Sequence, residues 1–275
     1  MRAGLDRYCE TWGLSPAGEV LETHSSLLRS VRTDGVRAML KLPLVDEERR
    51  GCSALTFWGG EGAVRVLRTD GRAFLLEWAA DDIPLTDMAT GGRDSEATAI
   101  LCRAAMSLHE ARGGVRPSGL TPLRRWFAGL GRAAEKGGEN QALFRAALEI
   151  ASPLLEAPES EVVLHGDIHH GNVLHDPVRG WLAIDPKGLV GDRGFDFANI
   201  LCNPTAALAR APGRLAAQAG VVAAISGLSL RRVLQWTAAY AGLSAAWSAE
   251  STPEQATDGL AMARLAQAEL AAAAA

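Results

Sequence analysis

The stretch from Val162 to Gly188 constrains this chain more than any other part of it. It reads Val162-Val163-Leu164-His165-Gly166-Asp167-Ile168-His169-His170-Gly171-Asn172-Val173-Leu174 and then, past a polar turn, Trp181-Leu182-Ala183-Ile184-Asp185-Pro186-Lys187-Gly188. Two short apolar runs rich in β-forming residues bracket a polar, glycine-containing loop. Each run delivers a carboxylate just past its end, Asp167 after the first and Asp185 after the second, and Asn172 lies five residues beyond Asp167. A base, an amide oxygen and a second carboxylate at this spacing are what a phosphoryl-transfer site needs. Asp167 would accept the proton of an attacking hydroxyl, while Asn172 and Asp185 would hold Mg²⁺ against the phosphates of a nucleotide such as ATP.

Composition narrows the partners. A chain of 275 residues with 48% hydrophobic and 22% charged residues can bury a large core, as one domain or two lobes. The net charge of −4 provides no basic footprint for nucleic acid or an anionic membrane, and it permits a cationic small substrate. Cys9, Cys52, Cys102 and Cys202 are far apart and form no C-x-x-C pair, so a zinc ribbon or disulfide framework is not expected. The first residues lack the apolar core of a signal peptide, and no run of about 18 apolar residues is free of charges or breakers. A cytoplasmic monomer is expected.

Taken in order, residues 1 to 22 form an amphipathic start without assignable chemistry. Thr23 to Arg32 and Val36 to Leu42 flank Thr33-Asp34-Gly35 and read as a β-hairpin. Lys41 sits in its second strand. A helix is expected from Asp46 to Gly59-Gly60, with Asp46-Glu47-Glu48 favourable to its dipole. Glu48, in preference to Glu47, is the candidate partner that would aim Lys41 at the α- and β-phosphates, although dipole compensation alone explains both acids equally well. Ala63 to Leu67 and Ala73 to Trp78 form a second hairpin around Thr69-Asp70-Gly71. The first 78 residues thus read as a small sheet lobe of antiparallel strands and one helix. Glu77, Trp78 and Ala79 close it as a hinge whose backbone would meet the adenine.

Beyond residue 80 the pattern turns helical: Asp94 to Glu110 with Asp94 or Ser95 as N-cap, Leu123 to Leu130, Gln141 to Leu155, a helix opening near Gly191 to Asn199, and two more after Asn203-Pro204. Val233, Trp236, Tyr240, Leu243 and Trp247 recur every three or four residues as a core stripe. The expectation is an α+β chain of two lobes, a β-rich N-lobe over residues 1–80 and a larger, mainly helical C-lobe over residues 81–275.

Other readings explain less. His165, His169, His170 and His175 suggest a metallohydrolase, but the strand-to-loop setting spoils the helical spacing of His165 and His169. As props, His165 would brace the loop while His169 and His170 line the cleft. Asp167 and Asp185 as a glycosidase pair would leave Lys41, Glu48 and Asn172 without a role. No G-x-x-x-x-G-K-[ST] or early glycine-rich dinucleotide fingerprint occurs. A catalytically dead binding module would be expected to have lost one of Lys41, Asp167, Asn172 or Asp185, and all four are present.

These residues resemble a family. The H-G-D-x-H-x-x-N run at His165 to Asn172, Ile184-Asp185-Pro186 and the D-R-x-x-D run from Asp192 to Asp196 look like an aminoglycoside phosphotransferase, with a two-lobed protein-kinase-like fold. His24-Ser25-Ser26, Trp181 to Pro186, Phe195-Asp196 with Ala198-Asn199, and Gly242 to Trp247 resemble more closely the streptomycin 6-phosphotransferases, a subfamily grouped with hydroxyurea phosphotransferases. The resemblance implies Asp167 as base, Asn172 and Asp185 as magnesium ligands, Lys41 with Glu48 on the phosphates, and Ser25-Ser26 as a short nucleotide-positioning loop. It implies ATP-dependent phosphorylation of streptomycin at position 6 of the streptidine ring, and hence antibiotic resistance, with a kinase for another small molecule such as hydroxyurea as the alternative. The two guanidinium groups of streptidine would call for carboxylates, with Asp192 and Glu250 as candidates and Trp247 as a stacking wall. Asp192 or Asp196 could instead fix the loop. Lys187 is a local departure from the family pattern, which would lie near the phosphates or simply point to solvent.

Overall fold

The computed structural model describes residues 2–80, 82–111, 115–249 and 253–273. It opens on a helix, α1 (Arg2–Trp12), and a strand, β1 (Ser15–Glu22), in the stretch left unassigned by sequence patterning. Strands β2 (Ser26–Thr33) and β3 (Val36–Pro43) are joined by Asp34 and Gly35, both at positive φ (50° and 78°), the geometry a two-residue hairpin turn demands. Helix α2 (Asp46–Trp58) follows, then β4 (Val66–Thr69) and β5 (Phe74–Glu77). The five strands form one sheet in the order β1-β2-β3-β5-β4, with every neighbour antiparallel. Leu5 and Cys9 of α1 pack with Leu27, Val31, Leu40 and Leu75 in a small core on one side of that sheet. The N-lobe therefore has two helices, one more than expected, because α1 covers a sheet face that would otherwise expose its apolar residues.

The C-lobe is helical, with short strands around the loops. Helices α3 (Leu85–Met88) and α4 (Asp94–Glu110) are linked by a π-turn across Gly92 (φ 89°). Asp94 does not cap α4 with its side chain. Its carboxylate instead takes the Arg214 guanidinium through two bonds of 2.7 and 2.9 Å. Next come β6 (Thr121–Pro122), α5 (Leu123–Trp126), α6 (Ala128–Glu135) and α7 (Gln141–Glu156). The single helix expected over 123–130 is thus two, broken at Phe127 (ψ −2°). Strand β7 (Glu161–Leu164) leads into the first apolar-flanked loop, β8 (Val173–Asp176) and β9 (Gly180–Ala183) form a hairpin, and β10 (Leu189–Asp192) lies between β6 and β7. Helices α8 (Phe195–Leu201), α9 (Ala206–Ala209), α10 (Arg214–Ser226), α11 (Leu230–Ser248) and α12 (Pro253–Ala272) complete the lobe.

The architecture is α+β in two lobes, and the main core runs across both. Cys52, Leu55 and Trp58 of α2 belong to the same buried cluster as Phe195, Trp236 and Leu243. The aromatic rings of Phe127, Phe195, Trp236 and Tyr240 meet edge to face at its centre. No helix among the described residues is long and apolar enough to cross a membrane.

Candidate active site

The loop after β7 is held from beneath by one buried carboxylate. Asp196, on α8, accepts the backbone N–H groups of His165 (3.0 Å) and Gly166 (2.7 Å) and meets His109 Nε2 at 2.9 Å. Gly166 turns the chain at φ 83°, where a Cβ would lie 2.7 Å from the Leu189 side chain. The His165 ring stacks on Trp58, accepts the Asp167 N–H at Nδ1 (3.2 Å) and donates from Nε2 to the Ile184 carbonyl (2.8 Å). Complete burial lowers its pKa, in keeping with a neutral ring. His165 thereby ties the loop carrying Asp167 to the strand end carrying Asp185.

Asp167 is fixed through both carboxylate oxygens. Its Oδ1 accepts from Asn199 Nδ2 at 2.8 Å and its Oδ2 from Asn172 Nδ2 at 3.3 Å. The Asn172 amide also donates to the Asp167 carbonyl at 3.0 Å. Its nitrogen faces the loop in this way, which leaves its oxygen as the atom able to bind a cation. Asp185 follows β9 with φ 56°, a left-handed conformation that costs a non-glycine residue energy and is found at functional sites.

Lys41 of β3 and Glu48 of α2 form a buried ion pair, and Lys41 Nζ also reaches Asp185 Oδ1 at 2.5 Å. Burial works against the Lys41 ammonium, but Asp185 and Glu48 outweigh it and raise its pKa. Burial likewise works against the Asp185 carboxylate, and Lys41 outweighs it and lowers its pKa. Ser25 Oγ donates to Glu48 Oε1 at 2.8 Å. The α2 helix can approach this closely because Gly51 has no side chain. A Cβ there would fall 1.9 Å from the Pro186 carbonyl oxygen.

Two cavities meet at this centre. One, of about 460 Å³, is lined by Ser25, Ser26, Lys41, Glu48, Glu77, Trp78, Ala79, Asn172 and Asp185, which brings every sequence-expected nucleotide and metal residue to one cleft between the lobes. The second, of about 610 Å³, is lined by Asp167, Glu47, Arg50, Arg125, Arg132, Trp126 and Trp247. Among the described residues only Lys187 lines both.

Over residues 11–252 the sequence matches the family described as aminoglycoside/hydroxyurea antibiotic resistance kinase. The chain belongs to that family. It is 46% identical over 243 residues to the streptomycin 3''-kinase of Klebsiella pneumoniae, covering 86% of this chain and 90% of that protein. It is 32% identical over 209 residues to the streptomycin 6-kinase of Streptomyces glaucescens, covering 70% and 64%. Its fold is similar to that of a thermostable mutant of the aminoglycoside phosphotransferase APH(4)-Ia, solved with AMP-PNP and hygromycin B. The TM-score is 0.67 at 15% identity, covering 95% of this chain and 96% of that one. This member of the resistance-kinase family is therefore a phosphotransferase of protein-kinase-like fold.

On the acceptor side of this kinase two sequence expectations need revision, Asp192 as a substrate contact and Trp247 as a member of the core stripe. Asp192 does not face the second cavity. It is 2% exposed and accepts from the Glu159 and Gly194 N–H groups, Arg232 and Trp236 Nε1, so it fixes the loop before α8. Trp247 breaks from the core stripe that includes it: Val233, Trp236 and Leu243 are buried, while Trp247 is 38% exposed and lies edge to face with Trp126 at the cavity. Glu250 lies outside the described residues. His170 does not line the cleft either. It is buried without a partner for either ring nitrogen, and burial pushes its pKa down to about 4. Among the described residues no three His, Cys, Asp or Glu side chains converge as a metal cluster.

Sequence reasoning missed Asn199 and the bridging place of Lys187. Asn199 left a faint signal: it is a polar residue in the otherwise apolar Ala198-Asn199-Ile200-Leu201 run, three positions after Asp196 and so on the same helix face. Nothing in the sequence places Lys187 between the two cavities.

Proposed function

We propose that the protein transfers the γ-phosphoryl group of ATP to a hydroxyl of streptomycin and thereby confers resistance to it. One observation carries this reading: Asp167 lines a polar cavity that meets, at Lys187, a largely apolar cleft of about 460 Å³ lined by Lys41, Asn172 and Asp185. Adenine would lie against the Glu77–Ala79 backbone, and Lys41, held by Glu48, would meet the α- and β-phosphates. Asn172 Oδ1 and the Asp185 carboxylate form a hard oxygen donor set that fits Mg²⁺. The ion, when bound, would neutralise charge on the β- and γ-phosphates. Asp167 would orient the acceptor hydroxyl and take its proton as the new P–O bond forms and the bond to ADP breaks. Its two amide donors hold it in place without competing as acids.

For the acceptor we favour the 3''-hydroxyl over the 6-hydroxyl of streptidine that the sequence resemblance implies. The greater identity to the 3''-kinase supports this choice. So does the second cavity, where Arg50, Arg125, Arg132 and Lys187 outnumber Glu47 and Asp167. Such a wall would repel a ring bearing two guanidinium groups more than the other end of the drug. All four cysteines are free thiols, which suits a reducing cytoplasm.

The test is incubation of the purified protein with Mg²⁺-ATP and streptomycin, followed by mass analysis and fragmentation of the drug. A gain of about 80 Da, one phosphoryl group, on the 3''-bearing sugar supports the proposal in full. The same gain on streptidine would move the acceptor to the 6-hydroxyl. An unmodified drug with turnover on hydroxyurea would replace the substrate.

A further inference from the structure

Phosphoryl transfer develops charge on the oxygens of the group in flight, and a cation placed between donor and acceptor stabilises it. Lys41 cannot fill that place, because Glu48 and Asp185 hold its ammonium on the inner wall of the nucleotide cleft. Lys187 stands at the junction itself. Its Nζ lies 3.6 Å from Asp167 Oδ2, 3.7 Å from Glu47 Oε1 and 4.0 Å from Asp185 Oδ2. Three carboxylates thus surround it, each at a separation longer than a tight ion pair, so its donors remain available to a ligand.

The backbone under Lys187 is fixed. Its N–H donates to the His165 carbonyl at 2.7 Å, and Gly188 (φ 65°) packs so closely on α2 that a Cβ there would be 2.5 Å from the Arg50 carbonyl group. Gly166 leaves room on the other side, where a Cβ would come within 3.2 Å of Lys187 Cβ. From this base the side chain projects into the space between Asp167, Asp185 and Glu47.

We propose that Lys187 is a catalytic residue: its ammonium donates to a non-bridging oxygen of the γ-phosphoryl group, from the bound nucleotide through transfer to the acceptor. This rests on the phosphotransfer reading above but not on the identity of the acceptor. A compact ammonium suits the role, since the group it follows moves between two partners.

The experiment compares wild type with Lys187→Met and Lys187→Arg in two measurements. Calorimetry without drug gives the affinities for Mg²⁺-AMP-PNP and Mg²⁺-ADP; steady-state kinetics gives kcat and KM. Lys187→Met should weaken AMP-PNP about tenfold while leaving ADP within about twofold, since only the former carries a γ-group. Its kcat should fall about 10²-fold or more with KM for the acceptor little changed, and Lys187→Arg should recover part of both losses. If AMP-PNP and ADP weaken equally, or kcat holds, Lys187 merely balances the neighbouring carboxylates and the proposal falls. A wild type that leaves streptomycin unmodified would sink the substrate assignment alone, because the comparison of the two nucleotides needs no drug.

Discussion

In the cleft proposed for the nucleotide, Lys41 and Glu48 are buried and paired, and the more exposed Asp185 joins them through Lys41. Lys41 and Glu48 are each 5% exposed, Ser25 holds Glu48, and α2 is locked to the Pro186 carbonyl through Gly51. On the acceptor side Arg125 and Arg132 stand exposed, and Trp247 shows more than a third of its surface. The nucleotide side is formed by main-chain elements that meet at contact distance, so few changes there can be absorbed. The acceptor side is formed by long side chains on the short helices α5 and α6 and on the end of α11, where substitution costs little stability. A shared phosphate chemistry with variable acceptors is the expected outcome of that division.

The largest test of this contrast is Asp167→Asn, which keeps the size and both amide neighbours but removes the proposed base. We expect kcat to fall about 10³-fold with AMP-PNP affinity held within about twofold, measured by steady-state kinetics and calorimetry. Equal losses in both would mean that the two sides do not act separately.

Lys41→Met comes next. It leaves Glu48 buried beside Asp185 without its cation, at a cost of about 3 kcal/mol in unfolding free energy. The pH dependence follows from the two shifted groups. The lowered pKa of Asp185 contributes stability that is present above its unfolded value of about 3.9 and lost as pH falls through the folded value. The raised pKa of Lys41 contributes stability present below about 10.4 and lost as pH rises through the folded value. The gap between wild type and Lys41→Met should therefore be constant from about pH 5 to about 9 and narrow on either side. Denaturant unfolding across that range would show it, and a gap that changes near neutrality would remove the ion cluster as its cause.

Gly51→Val probes the same side without touching a charge. The new side chain collides with the Pro186 backbone, and overpacking of this kind costs about 1 to 3 kcal/mol. We expect the Tm to drop by about 5 °C and nucleotide affinity to fall, with calorimetry and thermal scans as the readouts.

Trp247→Ala should have the smallest effect and should fall on the other side only. Loss of an exposed stacking surface would raise the KM for a cationic acceptor about threefold to fivefold, with the KM for ATP and the Tm unchanged. A fall in Tm as large as that of Gly51→Val would show that the acceptor wall is as rigid as the nucleotide wall.

Much of this was legible before any fold was known. The β2–β3 hairpin announces itself in Asp34-Gly35, whose positive φ values few other residue pairs accept, and α2 in the acids of its first turn. Helix α1 was not legible as sheet cover, because an amphipathic start does not name the surface it will bury. The break at Phe127 was hidden for a similar reason: the apolar period continues through it, and only packing against Phe195 and Trp236 sets its angle. Asp192 was left open between substrate contact and loop brace because a carboxylate in a loop looks available until Arg232 and Trp236, forty residues or more away, are seen to close on it.

By itself the sequence determined the order and spacing of Asp167, Asn172 and Asp185, since a loop between two short strands carries its geometry in contiguous residues. Only the tertiary structure decided that Asn199 would hold Asp167, that Asp192 would be sealed away, and that Lys187 would stand between two cavities. Those outcomes depend on distances between elements far apart in the chain, and the close packing of α2, α8 and α11 on a common core sets such distances.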